Sequence, residues 1–374
     1  MMWNKFIWEK LNLASIFIRF FIFSFIFFLL LFCLYSPRII NYFYRNERSI
    51  HVLTFTDMIS QESVKKFEEQ TGIKVHVTYF ESNDELLAKL KIDKGAGYDL
   101  LITTDYMIES LIKFNLLKSL NISKISNFEQ IDKRFINRYF DPQNKYSVPH
   151  SWSIFGLAYK KESFDKVMQD PTWGLIFDPE NWEKYKIAMP SDPREILFLT
   201  SLYLFGKPIE QSKNQLKEIR DLLIKQRKYV ESYSSEKIDY FLYAGIVPVV
   251  PCESLFFRKM LINNPKMKDE FAFIIPKEGS LLTIENLAIL EKSQKEELTY
   301  KFIDYLVSST VNAMNSNDFG FNPVNKVSYE LIDKSVFQNK SFFPSEEMFK
   351  KLDTLHNDIP LDVLDELWLS IRIS

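Results

Sequence analysis

The stretch SDPREI, residues 191–196, sets two carboxylates three positions apart at what reads as the start of a helix. Asp192 suits the N-cap, Pro193 the first helical position, and Glu195 the place where a capping box carries its acid, ahead of the apolar run ILFLTSLYLF. The same spacing also suits the holding of a cation. A helix N-terminus carries partial positive charge, so carboxylates placed there repel an anion from that spot and welcome an ammonium group. From the spacing alone capping is the simpler reading, and the cation-holding one stays open.

Other chemistries find less support. The only close glycine pair, Gly95 and Gly97, precedes a strand instead of following one, so neither a dinucleotide fingerprint nor a P-loop is present. His51, His76, His150 and His356 are scattered without ligand spacing, no HExxH or paired-cysteine pattern occurs, and no G-x-S-x-G elbow supports a hydrolase. No nucleophile and base can be named together, so no enzyme is expected, and no cofactor or metal.

The elements that must position the acids alternate between strand and helix. HVLTF (51–55), IKVHVTYF (73–80) and YDLLITT (98–104) read as strands, separated by SQESVKKFEEQTG and by a helix that Ser82 and Glu85 open as a capping box. The cadence restarts after FDPQNKYSVPHSW (140–152) with strand KIAMP (186–190), the helix opened by SDPRE, strands IVPVV (246–250), FAFII (271–275) and NLAIL (286–290), then helical EELTYKFIDYLVSS. This is parallel α/β architecture, and two lobes fit better than one.

The first 48 residues differ from the rest. Phe20 to Tyr35 is a run of sixteen residues without a charge, stopped by Ser36, Pro37 and Arg38, and Ile16 to Ile18 extend it if Arg19 snorkels. An export signal that remains as a membrane anchor over residues 16–35 is expected, with Lys5, Lys10 and Arg19 on the cytoplasmic side. Residues 1–48 hold six bases and two acids, leaving 41 bases and 47 acids beyond them, a net −6 that argues against nucleic acid and favours cationic partners. With only Cys33 and Cys252 in the chain, and one of them in the apolar run, the exported part has no disulfide and stands on its packing.

The run TGIKVHVTYFESNDELLAKLKIDKGAGYDLLITTDYMIESL (71–111) closely resembles the first lobe of the spermidine/putrescine-binding branch of ABC-importer solute-binding proteins. The same order continues through FDPQNKYSVPHSW, SDPRE, PKEGSLLTIENLAI (276–289) and GFNPVNK (320–326), so the resemblance spans nearly all the chain after residue 49. It implies a two-lobed type II periplasmic-binding-protein fold with an interlobe ligand cleft, preceded here by the hydrophobic N-terminal helix. The expected organisation is residues 1–48 as signal or anchor, 49–153 plus 284–331 as lobe 1, and 154–283 plus 332–374 as lobe 2.

The resemblance also assigns roles. Asp192, Glu195 and Glu285 match acids that grip ligand ammonium groups, Phe55 and Tyr106 match aromatic walls, and Thr56 and Thr104 match polar contacts beside those walls. The family usually has the shorter Asp at the position of Glu285. The aromatic box is thinned, because Met58, Pro251 and Thr283 stand where the family carries further rings, with local compensation by Trp152 and Glu253 as the alternative. The implied function is an extracytoplasmic, monomeric binding protein that captures a polyamine, putrescine or spermidine, and presents it to ABC permease subunits. Alternatives on the same fold are ferric iron, an anion or a sugar-like solute, and a sensor domain that loads ligand before contacting a membrane receptor.

Overall fold

The computed structural model describes residues 20–32, 48–164, 170–208, 212–235, 237–357 and 359–373. It divides into two units, Met1–Ser49 and Ile50–Ser374. In the first, residues 20–32 are helical and their phenylalanines stand exposed. Among the described residues no helix is long and apolar enough to cross a membrane. The flanks of the expected anchor, residues 16–19 and 33–35, lie outside the described residues, as does Cys33.

The second unit is built on a nine-stranded sheet whose main path runs β10-β4-β9-β3-β1-β2. The strands that open it are β1 (Ser49–Thr54), β2 (Lys74–Tyr79) and β3 (Leu100–Thr104), and the helices beside them are α1 (Gln61–Thr71), α2 (Asn83–Asp93) and α3 (Asp105–Lys113). β1 and β3 pair in parallel, Val52 opposite Leu100, and every residue of β3 is buried, as its continuous apolar run requires of a strand covered on both faces.

The second half of the sheet depends on two long strands. β4 (Ser147–Lys160) follows, then β5 (Ile187–Met189), α4 (Pro193–Phe205), α5 (Lys213–Gln226), β6 (Val230–Tyr233), β7 (Val249–Glu253), α6 (Ser254–Asn263), β8 (Phe271–Ile274) and β9 (Ser280–Ile289). β4 pairs with β9 from Ser147 opposite Ala288 to Ile154 opposite Leu282, then changes partners, so that Phe155 faces Glu253 on β7 and Leu157 faces Ile274 on β8. One fourteen-residue strand therefore belongs to two parts of the molecule. Gly156 sits where it crosses from one to the other, and a Cβ there would meet Ile274 O at 2.6 Å, so the strands approach closely only because no side chain is present. The chain closes through α7 (Glu296–Leu306), α8 (Ser309–Phe319), β10 (Asn322–Pro323), β11 (Leu352–Asp353) and α9 (Leu361–Arg372).

The sheet is mixed instead of parallel, because β9 runs antiparallel to both β3 and β4. Three strand expectations shift for physical reasons. FDPQNKYSVPHSW did not read as a strand, yet its end begins β4; Pro149 is accommodated next to a register shift between Pro149 and Ser151. β9 starts six residues earlier than NLAIL, at Ser280, its polar Ser280, Thr283, Glu285 and Asn286 all buried. The strand expected at 246–250 lies at Val249–Glu253, with Pro251 inside it opposite Leu157.

Candidate functional site

The ends of several strands deliver acids to one region, the place where open α/β sheets ordinarily take ligands. β3 ends at Thr104 and feeds Asp105 and Tyr106 into α3; the loop after β5 brings Asp192 and Glu195 to the start of α4; β7 ends on Glu253. β9 adds Glu285, which lies opposite Thr104 on one side and Ser151 on the other, so Thr104, Glu285 and Ser151 form one row across three strands.

Asp192 does cap α4: its Oδ1 accepts from Arg194 N at 2.8 Å. The same oxygen takes Arg194 Nη1 at 3.3 Å, and Oδ2 accepts the Tyr106 hydroxyl at 3.0 Å. Arg194 also reaches Asp84 on α2, Nη2 to Oδ1 3.2 Å, and lies 5.4 Å from the centre of the Tyr106 ring. Burial works against its positive charge, but Asp192, Tyr106 and Asp84 outweigh burial and keep the guanidinium protonated. Tyr106 is oriented from behind by Asn83, which donates Nδ2 to the tyrosine oxygen at 2.7 Å and to Thr104 Oγ1 at 3.0 Å while accepting the Thr103 hydroxyl at 2.8 Å. Burial, then the Asp192 charge, pushes the Tyr106 phenol well up, so it stays a donor.

Glu195 behaves differently from its neighbour. Its Oε2 is buried and has no hydrogen-bond partner, so it does not close a capping box. Burial first, then the charges of Asp192 and Glu253, push its carboxyl well above the usual range, with Arg194 opposing. Glu285 is only 8% exposed, its Oε2 is likewise unpartnered, and burial followed by Glu253 and Asp105 pushes it well up. Burial pushes Glu253 up to about 7, against a hydrogen bond from the Ser153 hydroxyl. Asp105 is also pushed up to about 7 by burial, although Tyr106 N at 2.7 Å and Ile284 N at 3.2 Å both donate to it.

The remaining expected residues occupy varied positions. Phe55 is half-buried, its ring centre 4.2 Å from that of Phe80, and Thr56 is exposed. Thr104 is buried and engaged by Asn83. Trp152 belongs to the core: its indole donates to Pro323 O at 2.9 Å and its ring lies 5.2 Å from Phe135. Sequence reasoning missed Asn83, Asp84, Arg194 and Asp105. Asn83 and Asp84 stand inside a stretch that reads only as a helix start, and Arg194 stands between the two acids of SDPREI, where local spacing gives a base no separate signal.

Among the described residues no group of three or more histidine, cysteine or acidic side chains is arranged to hold a metal ion. The acids act on one another's charges, Glu253 on Glu195 and Glu285, and Asp105 on Glu285. Burying carboxylates without partners costs several kcal/mol each, so the arrangement is suited to a cation with separated charges that replaces the missing water.

Comparison with known proteins bears on the family and the fold. The model of the family described as bacterial extracellular solute-binding protein matches residues 62–344. The putrescine-binding periplasmic protein SpuD of Pseudomonas aeruginosa is 28% identical over 326 residues, covering 84% of this chain and 88% of that one. The putrescine-binding periplasmic protein PotF of Escherichia coli is 27% identical, covering 87% and 92%. Among solved structures, the spermidine/putrescine ABC transporter substrate-binding protein PotD of Streptococcus pneumoniae superposes with a TM-score of 0.75 at 26% identity, covering 87% of this chain and 98% of that one. A family match of this extent, over a two-lobed α/β fold with buried acids at the strand ends, leads to one conclusion: the chain belongs to the bacterial extracellular solute-binding proteins.

Proposed function

We propose that this protein captures a polyamine, putrescine or spermidine, between its two lobes and delivers it to the permease subunits of an ABC importer. The observation that carries the reading is the pair of buried, unpartnered carboxyl oxygens, Glu195 Oε2 and Glu285 Oε2. Each is a ready acceptor for an ammonium group, and a carboxylate–ammonium bond formed out of water is among the stronger hydrogen bonds available. The names of the relatives that align over most of the chain point to the same ligand class.

In this reading Glu195 and Glu285 hold the terminal ammonium groups, and Phe55 and Tyr106 cover the methylenes, each ring adding about 0.5–2 kcal/mol where it faces a charge. Thr56 and Thr104 line the same region. Asp192 works at the junction: it receives Tyr106 from β3–α3 and shares Arg194 with Asp84, so four side chains tie α4 to α2 and α3. Lys259 on α6 adds a second tie by pairing with Asp57. Lobe 1 comprises 49–153 plus 284–331 and lobe 2 comprises 154–283 plus 332–374, a division supported by the change of partners along β4 between Ile154 and Phe155. Hinge closure around the ligand then makes and breaks these ties, and no covalent bond changes. The apolar helix at 20–32 supports residues 16–35 as an export signal kept as an anchor.

Thermal-shift titration of the full chain in mild detergent, with putrescine, spermidine, ferric citrate and phosphate, tests the reading. A ligand at 100 times its dissociation constant adds about 2.7 kcal/mol of stability. Protection by an amine, and by neither of the other two, is expected; protection by iron or phosphate alone contradicts it.

A further inference from the structure

Two histidines that are far apart in the sequence meet on the sheet. His51 lies on β1 and His76 on β2, and their ring centres are 4.7 Å apart with the planes inclined by 30°. β2 ends the main path of the sheet and has β1 as its neighbour, so the pair sits at an edge. His51 is half-buried and His76 exposed, so solvent reaches the pair.

The backbone beneath both rings is fixed by carboxylates. His51 N donates to Asp99 Oδ2 at 2.9 Å, and Asp99 Oδ1 accepts the Ser293 hydroxyl at 2.7 Å. One residue before His76, Val75 N donates to Glu68 Oε1 at 2.9 Å, and Glu68 Oε2 accepts Lys74 Nζ at 2.8 Å. The Lys74 bond and then the Val75 bond lower the Glu68 carboxyl, burial opposes them, and a charge on His76 lowers it further, so Glu68 lies within the field of that ring. A positive ion beside His76 therefore has a carboxylate close by. Val52 opposite Leu100 sets His51 level with Asp99, near the starts of β1 and β3, whereas Thr104, Asp105 and the other acids of the cleft gather at the far end of the strands.

A neutral imidazole nitrogen is a ligand for zinc and for the nitrogen-preferring divalent ions of the first transition row. Zinc holds such nitrogens at about 2.0–2.1 Å, so two on one ion stand about 3 Å apart, a spacing that rings this close reach by turning about their side-chain torsions. Once one ring has bound, the second closes the chelate intramolecularly at high effective concentration. Hard ions such as magnesium prefer oxygen and gain nothing from the pair.

We propose that His51 and His76 form a two-ligand site for a divalent transition-metal ion, zinc or nickel, with water completing the shell, and that the bound ion clips edge strand β2 to β1. The clip is independent of amine capture, because it stands at the opposite end of the strands from the cleft acids.

The test is calorimetric and thermal-shift titration of the full chain in mild detergent with zinc, nickel and magnesium chlorides, in wild type, His76→Gln and His51→Gln. Zinc or nickel is expected to saturate a site in wild type and to raise the melting temperature, a rise that a chelator reverses and that magnesium does not produce. Each variant is expected to bind the same ion at least about tenfold more weakly, since one imidazole is left where two closed a chelate. His76→Gln replaces an exposed side chain, so it decides the matter alone if His51→Gln does not fold. Absence of zinc and nickel binding in wild type overturns the proposal, as does affinity unchanged in His76→Gln, which marks an adventitious ion bound elsewhere. Equal protection by magnesium also overturns it.

Discussion

The starts of α2 and α4 carry the same local pattern and end in opposite states. At α2, Ser82 accepts from Glu85 N at 3.2 Å and the Glu85 carboxylate turns back to accept from Glu81 N at 2.9 Å, both on an exposed surface. At α4, Asp192 caps by accepting from Arg194 N, but Glu195 makes no return bond and keeps a buried oxygen without a partner. The first acid completes its helix; the second is held away from its helix at a cost. What separates them is tertiary: α4 opens where Tyr106 donates to Asp192 and Arg194 reaches across to Asp84, and returning to the backbone is no longer the only use for a carboxylate. Patterns of this kind specify a helix start, and only burial shows which acid has been diverted.

The largest effect expected from this contrast is in the pair Glu195→Gln with Glu285→Gln. Removing both charges is expected to weaken polyamine binding by at least about a hundredfold, measured by calorimetry. The same variant is expected to melt higher than wild type at pH 8 without ligand, because two uncompensated buried acids are gone. Glu85→Gln, its counterpart at α2, is expected to leave binding unchanged.

A pH series sharpens the contrast. Glu253 has a carboxyl raised from 4.5 to about 7 in the folded protein, so its contribution to stability is fully present below about pH 4.5 and is lost as pH rises through 7. Relative to Glu253→Gln, ligand-free wild type is therefore expected to lose on the order of 2–3 kcal/mol between pH 5 and pH 8 in denaturant titrations. Amine binding reverses the sign, since an ammonium stabilises the carboxylate, and affinity is expected to rise over the same interval.

Smaller effects test the tie between α2, α3 and α4. Tyr106→Phe removes the bond to Asp192 and the acceptor of Asn83, and about a five- to tenfold loss of affinity is expected with little change in the rate of ligand encounter. The smallest effect belongs to the simple cap: Ser82→Ala is expected to cost about 1 kcal/mol in denaturant titration and to leave the dissociation constant of either amine where it was.

Much of the scaffold was legible because strand and helix patterns are local. β1, β2, β3, β5 and β8 lie within a few residues of their apolar runs, and Asp192 caps the helix that its spacing predicts. β4 was not legible at its start, where Pro149, His150 and three serines interrupt the pattern, and pairing with β9, β7 and β8 makes the whole stretch one strand. The engagement of both Asp192 oxygens escaped for the same reason, since Tyr106 lies 86 residues away in sequence and Asp84 reaches the site only through Arg194. Thr56, expected beside the rings, is exposed, whereas Asn83, hidden in a helix start, orients Tyr106.

The most direct test is calorimetry of spermidine binding to the full chain and to the Glu195→Gln, Glu285→Gln double variant at pH 8. Wild type is expected to bind with saturable heat, while the variant shows no saturable binding at amine concentrations up to about a hundred times the wild-type dissociation constant. Equal affinity in both proteins contradicts the claim that buried, unpartnered carboxyls hold the ligand.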